Sequence, residues 1–113
     1  MPRRDVGITL RQMRDYTREA TQMAQGRTRA ELDTNRMLSL ALTHLLEILG
    51  EAANRVPAEE QAKYPHIPWQ QLIGLRNRLI HGYDQVDLDI LWQIVTRDLP
   101  SLTEELARVA PPE

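Results

Sequence analysis

Apolar residues recur along this chain at three- and four-residue intervals, the period of helices that turn one face to a core. Leu10, Met13, Tyr16, Ala20 and Met23 form one such stripe and predict a helix from Ile8 to Met23 or Ala24, with Arg11, Arg14, Arg18 and Glu19 on its surface. Gln25-Gly26-Arg27 ends it. Thr28 to Glu31 has capping-box spacing and opens a short turn, after which Asp33 or Thr34 is placed to cap a second helix. That helix, Thr34 to Arg55, carries Leu38, Leu42, Leu45, Leu46, Leu49 and Ala53 together with Ala41, Ile48, Ala52 and Val56 around it. An arc so wide needs neighbours on two sides, inside the bundle or across a subunit interface. Gly50 in its middle costs about 1 kcal/mol relative to Ala, which points to another backbone packed closely against it.

Pro57 stops the second helix and starts a short one, Ala58 to Lys63. Tyr64-Pro65-His66-Ile67-Pro68-Trp69 reads as a stiff extended connector. A third long helix follows from Trp69 to Ile80 or His81, with Gly82 as its C-cap. Asp87 then caps a last helix, Leu88 to Val109, which Pro100 should kink near Thr96 and Arg97. The pattern predicts an all-α fold of one domain, 1–113, an antiparallel four-helix bundle with short extra helical turns and frayed ends at 1–7 and 110–113. Strands are not expected, because Val/Thr-rich alternation is missing.

Composition narrows the chemistry. The chain has no cysteine, so thiolate nucleophiles, disulfides and cysteine zinc sites are excluded. No apolar run approaches the ~18–20 residues of a membrane span, and no signal-peptide core follows Met1. A cytoplasmic protein without a membrane partner is the expectation. The net charge of −2 is no signature of a general polyanion binder. Yet the first 36 residues hold eight arginines against five acids. That excess is either a solvated helix face or a grip on an RNA backbone.

The chain has three histidines that could carry chemistry. His44 sits among apolar residues of the second helix and reads as a structural histidine; His66, between two prolines, reads as a spacer. Neither has a second ligand at metal spacing, so no metal or other cofactor is expected. His81 differs, because the expected helix end puts Asn77 at i−4 and Arg78 at i−3 beside it. Arg76, at i−5, lies roughly 140° around an ideal helix and reaches His81 only through its long side chain. A helix C-terminus favours the protonated imidazole. An arginine, a histidine and an amide there either satisfy the helix dipole or bind a phosphodiester and move a proton. No activated serine or cysteine accompanies them, so a substrate of this site would bring its own nucleophile, as RNA does with its 2′-hydroxyl. Such cleavage ordinarily uses two proton-transfer groups, and a two-fold dimer would supply the second.

Arg76-Asn77-Arg78-Leu79-Ile80-His81, followed by Tyr83, resembles the Arg-x4-His-x-Tyr form of the HEPN motif found in its HepT-like branch. Glu47-Ile48-Leu49-Gly50-Glu51-Ala52-Ala53, Tyr64 to Trp69, Ile73 to Asn77 and Asp98-Leu99-Pro100 are similar to further family segments in the same order. The departures, Leu49 and the stretch Met37 to Ala41, lie away from the motif. The resemblance implies a HEPN-like four-helix fold, a homodimer, and a metal-independent endoribonuclease toxin of a type VII-like toxin–antitoxin pair. It makes Arg76 and His81 the catalytic pair with Asn77 in support, and leaves Arg78 as a candidate RNA contact. It further implies an MntA-like nucleotidyltransferase antitoxin that transfers AMP from ATP to Tyr83, where a bulky anion would exclude the substrate phosphate. The competing reading is a non-catalytic binding subunit of such a nucleotidyltransferase.

Overall fold

The computed structural model describes residues 3–82 and 85–112, with side chains from Asp5 onward. The fold is all-α, with one small hairpin added. Helix α1 spans Arg3–Ala24, α2 Glu31–Thr34, α3 Arg36–Arg55 and α4 Ala58–Gln61. After the connector come α5 (Trp69–Ile73) and α6 (Leu75–Leu79), then strands β1 (Ile80–His81) and β2 (Gln85–Val86). Helix α7 (Leu88–Gln93), a π-helical turn at Ile94–Asp98 and α8 (Leu99–Val109) complete the chain.

Helix α1 packs on α3 and α8, while α3 also receives α2, α5 and α6. Their facing residues form one core in which Leu10, Met13, Leu42, Leu46, Leu49 and Leu79 are among those almost wholly removed from water. The expected stripe of α1 is close to the observed one, but Thr17 and Arg14 are buried where Tyr16 and Met23 are only half-buried. Thr17 is accommodated because its hydroxyl donates to the Arg14 carbonyl at 2.9 Å. Arg14, expected on the surface, lies against Asp15 at 3.0 Å.

The termini depart from the frayed ends that the pattern suggested. Residues 3–7 are helical, Val6 is buried, and Gly7 faces Pro111, whose Cγ would lie 3.1 Å from a Cβ there. Arg11 donates to the Pro112 carbonyl at 3.2 Å, so 110–112 pack back along α1. Met1, Pro2 and Glu113 lie outside the described residues.

Helix starts follow local capping chemistry. Asn35, rather than Asp33 or Thr34, caps α3, its side chain accepting from the Leu38 amide at 3.0 Å. The capping-box spacing at Thr28 is half used: the Thr28 amide donates to Glu31 Oε1 at 3.2 Å. Asp87 caps α7 as expected, accepting from the Ile90 amide at 3.0 Å. Pro100 acts one turn upstream, as anticipated, though as a π turn. Lacking an N–H, it cannot bond the Thr96 carbonyl, and the Leu99 amide donates to Ile94 five residues back.

Two expectations fail between Trp69 and Val86. The helix there is broken at Gly74, whose backbone sits near φ −85°, ψ 4°. It also ends at Leu79, two residues before His81. Ile80 takes extended angles and pairs with Val86, while His81 pairs with Gln85. Both flanking residues are β-branched and prefer a pleated, half-buried surface. Gly82, at φ +44°, is therefore a hairpin-turn residue and not a helix cap.

The expected close approach at Gly50 is present. A Cβ at that position would lie 2.7 Å from the Leu72 carbonyl oxygen of α5. Helix propensity alone would make Ala more stable there by about 1 kcal/mol. Overpacking against a backbone atom costs about 1–3 kcal/mol and should win. Gly50→Ala is expected to lower the unfolding free energy in urea titration; a stabilised variant would contradict the close packing of α3 on α5.

Candidate active site

The residues singled out at 76–81 lie on two adjacent elements. Arg76, Asn77 and Arg78 project from α6, whose inward positions, Leu75 and Leu79, are anchored in the core. That alternation leaves the three polar residues exposed. His81 stands on β1, also exposed. The helix-dipole argument for His81 falls with the helix end itself, and so does the i−4 alignment with Asn77. Among the described residues, no hydrogen bond or ion pair links His81 to Arg76 or Asn77. Tyr83, the residue expected to be modified, lies outside the described residues with Asp84.

Arg76 and Arg78 serve different surroundings. Arg76 borders a groove of about 180 Å³ with Glu47, Gly50, Glu51 and Asn54 of α3 and with Ile73. Among the described residues, no carboxylate comes within ion-pair distance of it, so its guanidinium keeps its donors for a ligand. Arg78 turns the other way, its Nη1 3.9 Å from Asp98 Oδ2 at the end of the π turn. The site thus offers one unpaired arginine on the α3 side, and Arg78 is not its neighbour there.

Asp87, expected from the sequence as a helix cap, also lies beside His81. Its Oδ2 lies 3.5 Å from His81 Nε2 while its Oδ1 holds the start of α7. Its amide also donates to the Leu79 carbonyl at 2.7 Å, tying the hairpin to the end of α6. The signal was available as a carboxylate six residues after the histidine, but that spacing faces inward only if a hairpin intervenes.

The remaining sequence candidates take no part in this site. His44, expected to be a satisfied histidine among apolar neighbours, is exposed on α3, and His66 is exposed in the connector. The core face of α3 falls one position to either side of residue 44, on Thr43 and Leu45. Part of the N-terminal arginine excess is drawn into ion pairs: Arg27 with Glu31 at 3.1 Å, and Arg29 with both Asp33 at 3.2 Å and Asp89 at 2.7 Å. The hydrogen bonds that Arg29 donates to Asp89 and Asp33 raise its pKa above the ordinary value, keeping it fully cationic. Among the described residues, no group of three or more histidines and carboxylates could hold a metal ion, and no helix is long and apolar enough to cross a membrane.

An all-α, HEPN-like chain with an exposed arginine and histidine on successive short elements defines a class of ribonuclease fold. The family model described as "Ribonuclease HepT-like" matches residues 13–109, and the chain belongs to that family. It is similar to two proteins of Methanocaldococcus jannaschii that carry provisional RNase designations. One is 30% identical over 96% of this chain and 90% of that protein, the other 33% identical over 94% and 97%. It is also 42% identical to a Thermococcus cleftensis protein provisionally designated a ribonuclease HepT, over 55% of this chain and 56% of that one. No solved structure gives a significant match.

Proposed function

We propose that this protein is a metal-independent endoribonuclease that acts as the toxin of a cytoplasmic, type VII-like toxin–antitoxin pair. The observation that carries the reading is the exposed Arg76, without an ion-pair partner among the described residues, one short element before the exposed His81, in a chain that belongs to a ribonuclease family. Arg76 binds the scissile phosphodiester and stabilises the charge that develops on it, with Asn77 as a neutral donor beside it. The 2′-oxygen of the RNA attacks the adjacent phosphorus and releases its proton, the bond from phosphorus to the 5′-oxygen breaks, and that oxygen takes up a proton. The products are a 2′,3′-cyclic phosphate and a 5′-hydroxyl. His81 serves one of the two proton transfers.

A second copy of the chain supplies the other. Supporting this, α3 leaves Met37 83% and Leu40 52% exposed, large apolar side chains on the helix whose apolar arc called for neighbours on two sides. A two-fold pairing across that face would bring two Arg76/His81 segments into one assembly. Arg78 contributes at most a backbone contact to RNA, given its turn towards Asp98. Regulation follows from Tyr83 two residues beyond His81. Attack of its phenol oxygen on the α-phosphorus of ATP, catalysed by an MntA-like nucleotidyltransferase antitoxin, would release pyrophosphate and leave AMP on the tyrosine. The added anion would compete with the RNA phosphate for Arg76.

Purified protein is expected to cleave RNA in the presence of EDTA. His81→Ala should lower the rate about 10²–10⁴-fold and Arg76→Ala about 10²–10³-fold, both with unchanged thermal stability because the residues are exposed. Leu40→Glu should yield a monomer by light scattering and lose cleavage with both residues intact. Cleavage that survives Arg76→Ala and His81→Ala would sink this assignment, whereas unmodified protein that never cleaves RNA yet co-purifies with a nucleotidyltransferase would be a binding subunit only. For regulation, intact-mass analysis after co-expression with the neighbouring nucleotidyltransferase should show additions of whole AMP units, absent from Tyr83→Phe. An unchanged mass in the unsubstituted chain would remove the modification from the account.

A further inference from the structure

The least constrained part of the site is its histidine. His81 stands on a two-residue strand with its side chain 63% exposed, so neither packing nor a helix fixes the imidazole. An exposed imidazole without a partner samples several rotamers and both tautomers, and only some of those arrangements aim a proton-transfer nitrogen at a bound phosphodiester. Among the described residues, the fold places one carboxylate within reach of that ring. Asp87 Oδ2 lies 3.5 Å from Nε2.

Asp87 is itself held at three points. Its Oδ1 accepts from the Ile90 amide at 3.0 Å, its amide donates to the Leu79 carbonyl at 2.7 Å, and its carbonyl accepts from the Leu91 amide at 2.9 Å. The carboxylate is therefore divided. One oxygen is committed to the start of α7, and the other is left facing the histidine from a fixed backbone. The Leu79 bond also joins Asp87 to the last residue of α6, the helix that carries Arg76. A single residue thus references the histidine to the element bearing the arginine.

We propose that Asp87 is the positioning residue of the ribonuclease site, holding His81 through Nε2 so that Nδ1 is the nitrogen presented to RNA. The inference rests on the ribonuclease reading above and assigns the geometry within it. The separation of 3.5 Å exceeds a formed N–H···O bond, and such contacts commonly tighten when substrate arrives. In the resting enzyme the Nε2 proton faces the carboxylate, which leaves Nδ1 free to accept the 2′-hydroxyl proton. The second copy's histidine, in its imidazolium form, carries on Nδ1 the proton that the departing 5′-oxygen takes. Asp87 neither gives nor takes a proton in either step. It touches neither substrate nor reacting atoms.

A cap alone would give Asp87 the same position in the chain, so the test separates the two duties. Asn and Ser cap a helix about as well as Asp, but neither carries the charge that holds Nε2–H. An asparagine at 87 can turn its amide N–H to Nε2 and favour the opposite tautomer. Asp87→Asn and Asp87→Ser are expected to keep the wild-type melting temperature and the KM for a model RNA while kcat falls on the order of 10²-fold. Nitrogen-15 NMR of His81 should show Nε2 protonated in the neutral wild-type ring and a shift towards Nδ1 protonation in Asp87→Asn. Two active variants with wild-type kcat, or an unchanged tautomer in Asp87→Asn, would overturn the proposal and leave Asp87 a cap. If the wild-type protein cleaves no RNA, the ribonuclease reading fails instead, and the tautomer measurement still decides whether Asp87 positions the ring.

Discussion

A backbone carbonyl occupies the space where residue 50 would carry a side chain, and much of the molecule is arranged around that contact. With Gly50 beneath it, the Leu72 oxygen of α5 would stand 2.7 Å from a Cβ, closer than any other residue type permits without movement. Because α5 sits so low on α3, the following helix α6 can bury Leu75 and Leu79 while its other face stays in water. The same approach leaves Arg76 over a groove formed with α3, next to Glu47, Glu51 and Asn54. A glycine that weakens its own helix is thus the condition for putting a cation in an accessible position on the next layer.

What lies beyond α6 depends on how the chain leaves it. Five residues later than Arg76, the chain has turned into a short hairpin, and the Asp87 amide closes that excursion on the Leu79 carbonyl. The excursion carries His81 out of any helical environment, so its surroundings are set by Asp87 and solvent instead of a helix end. The helix macrodipole thus no longer bears on His81, and the nearest charge among the described residues is the Asp87 carboxylate.

Much of this was legible in the sequence. The 3–4 spacing located the main helices because their buried stripes are long, and Asp87 and the Pro100 disturbance followed from side chains whose local effect has few alternatives. The errors cluster where one residue type serves two structures. Gly82 takes a positive φ, which suits both a helix C-cap and a hairpin turn, and two β-branched residues are too few for a period-2 signal to outweigh the helical reading. His44 was misplaced because an apolar arc that wide does not reveal which edge of it faces the solvent, and the exposed Met37 and Leu40 show the same ambiguity. The candidate residues Arg76, Asn77 and His81 were found from the motif, but Asp87 was not. Its approach to His81 exists only because the hairpin folds the chain back on itself.

The central claim is that a chain with no nucleophile of its own lets the RNA attack itself. It is tested most directly with a short RNA that the protein cuts at one position, compared with the same strand carrying a single 2′-deoxynucleotide on the 5′ side of that bond. The account predicts cleavage of the all-RNA strand in EDTA and none at the deoxy-substituted bond. Equal cleavage of the two strands would contradict it and require a nucleophile from the protein or from water.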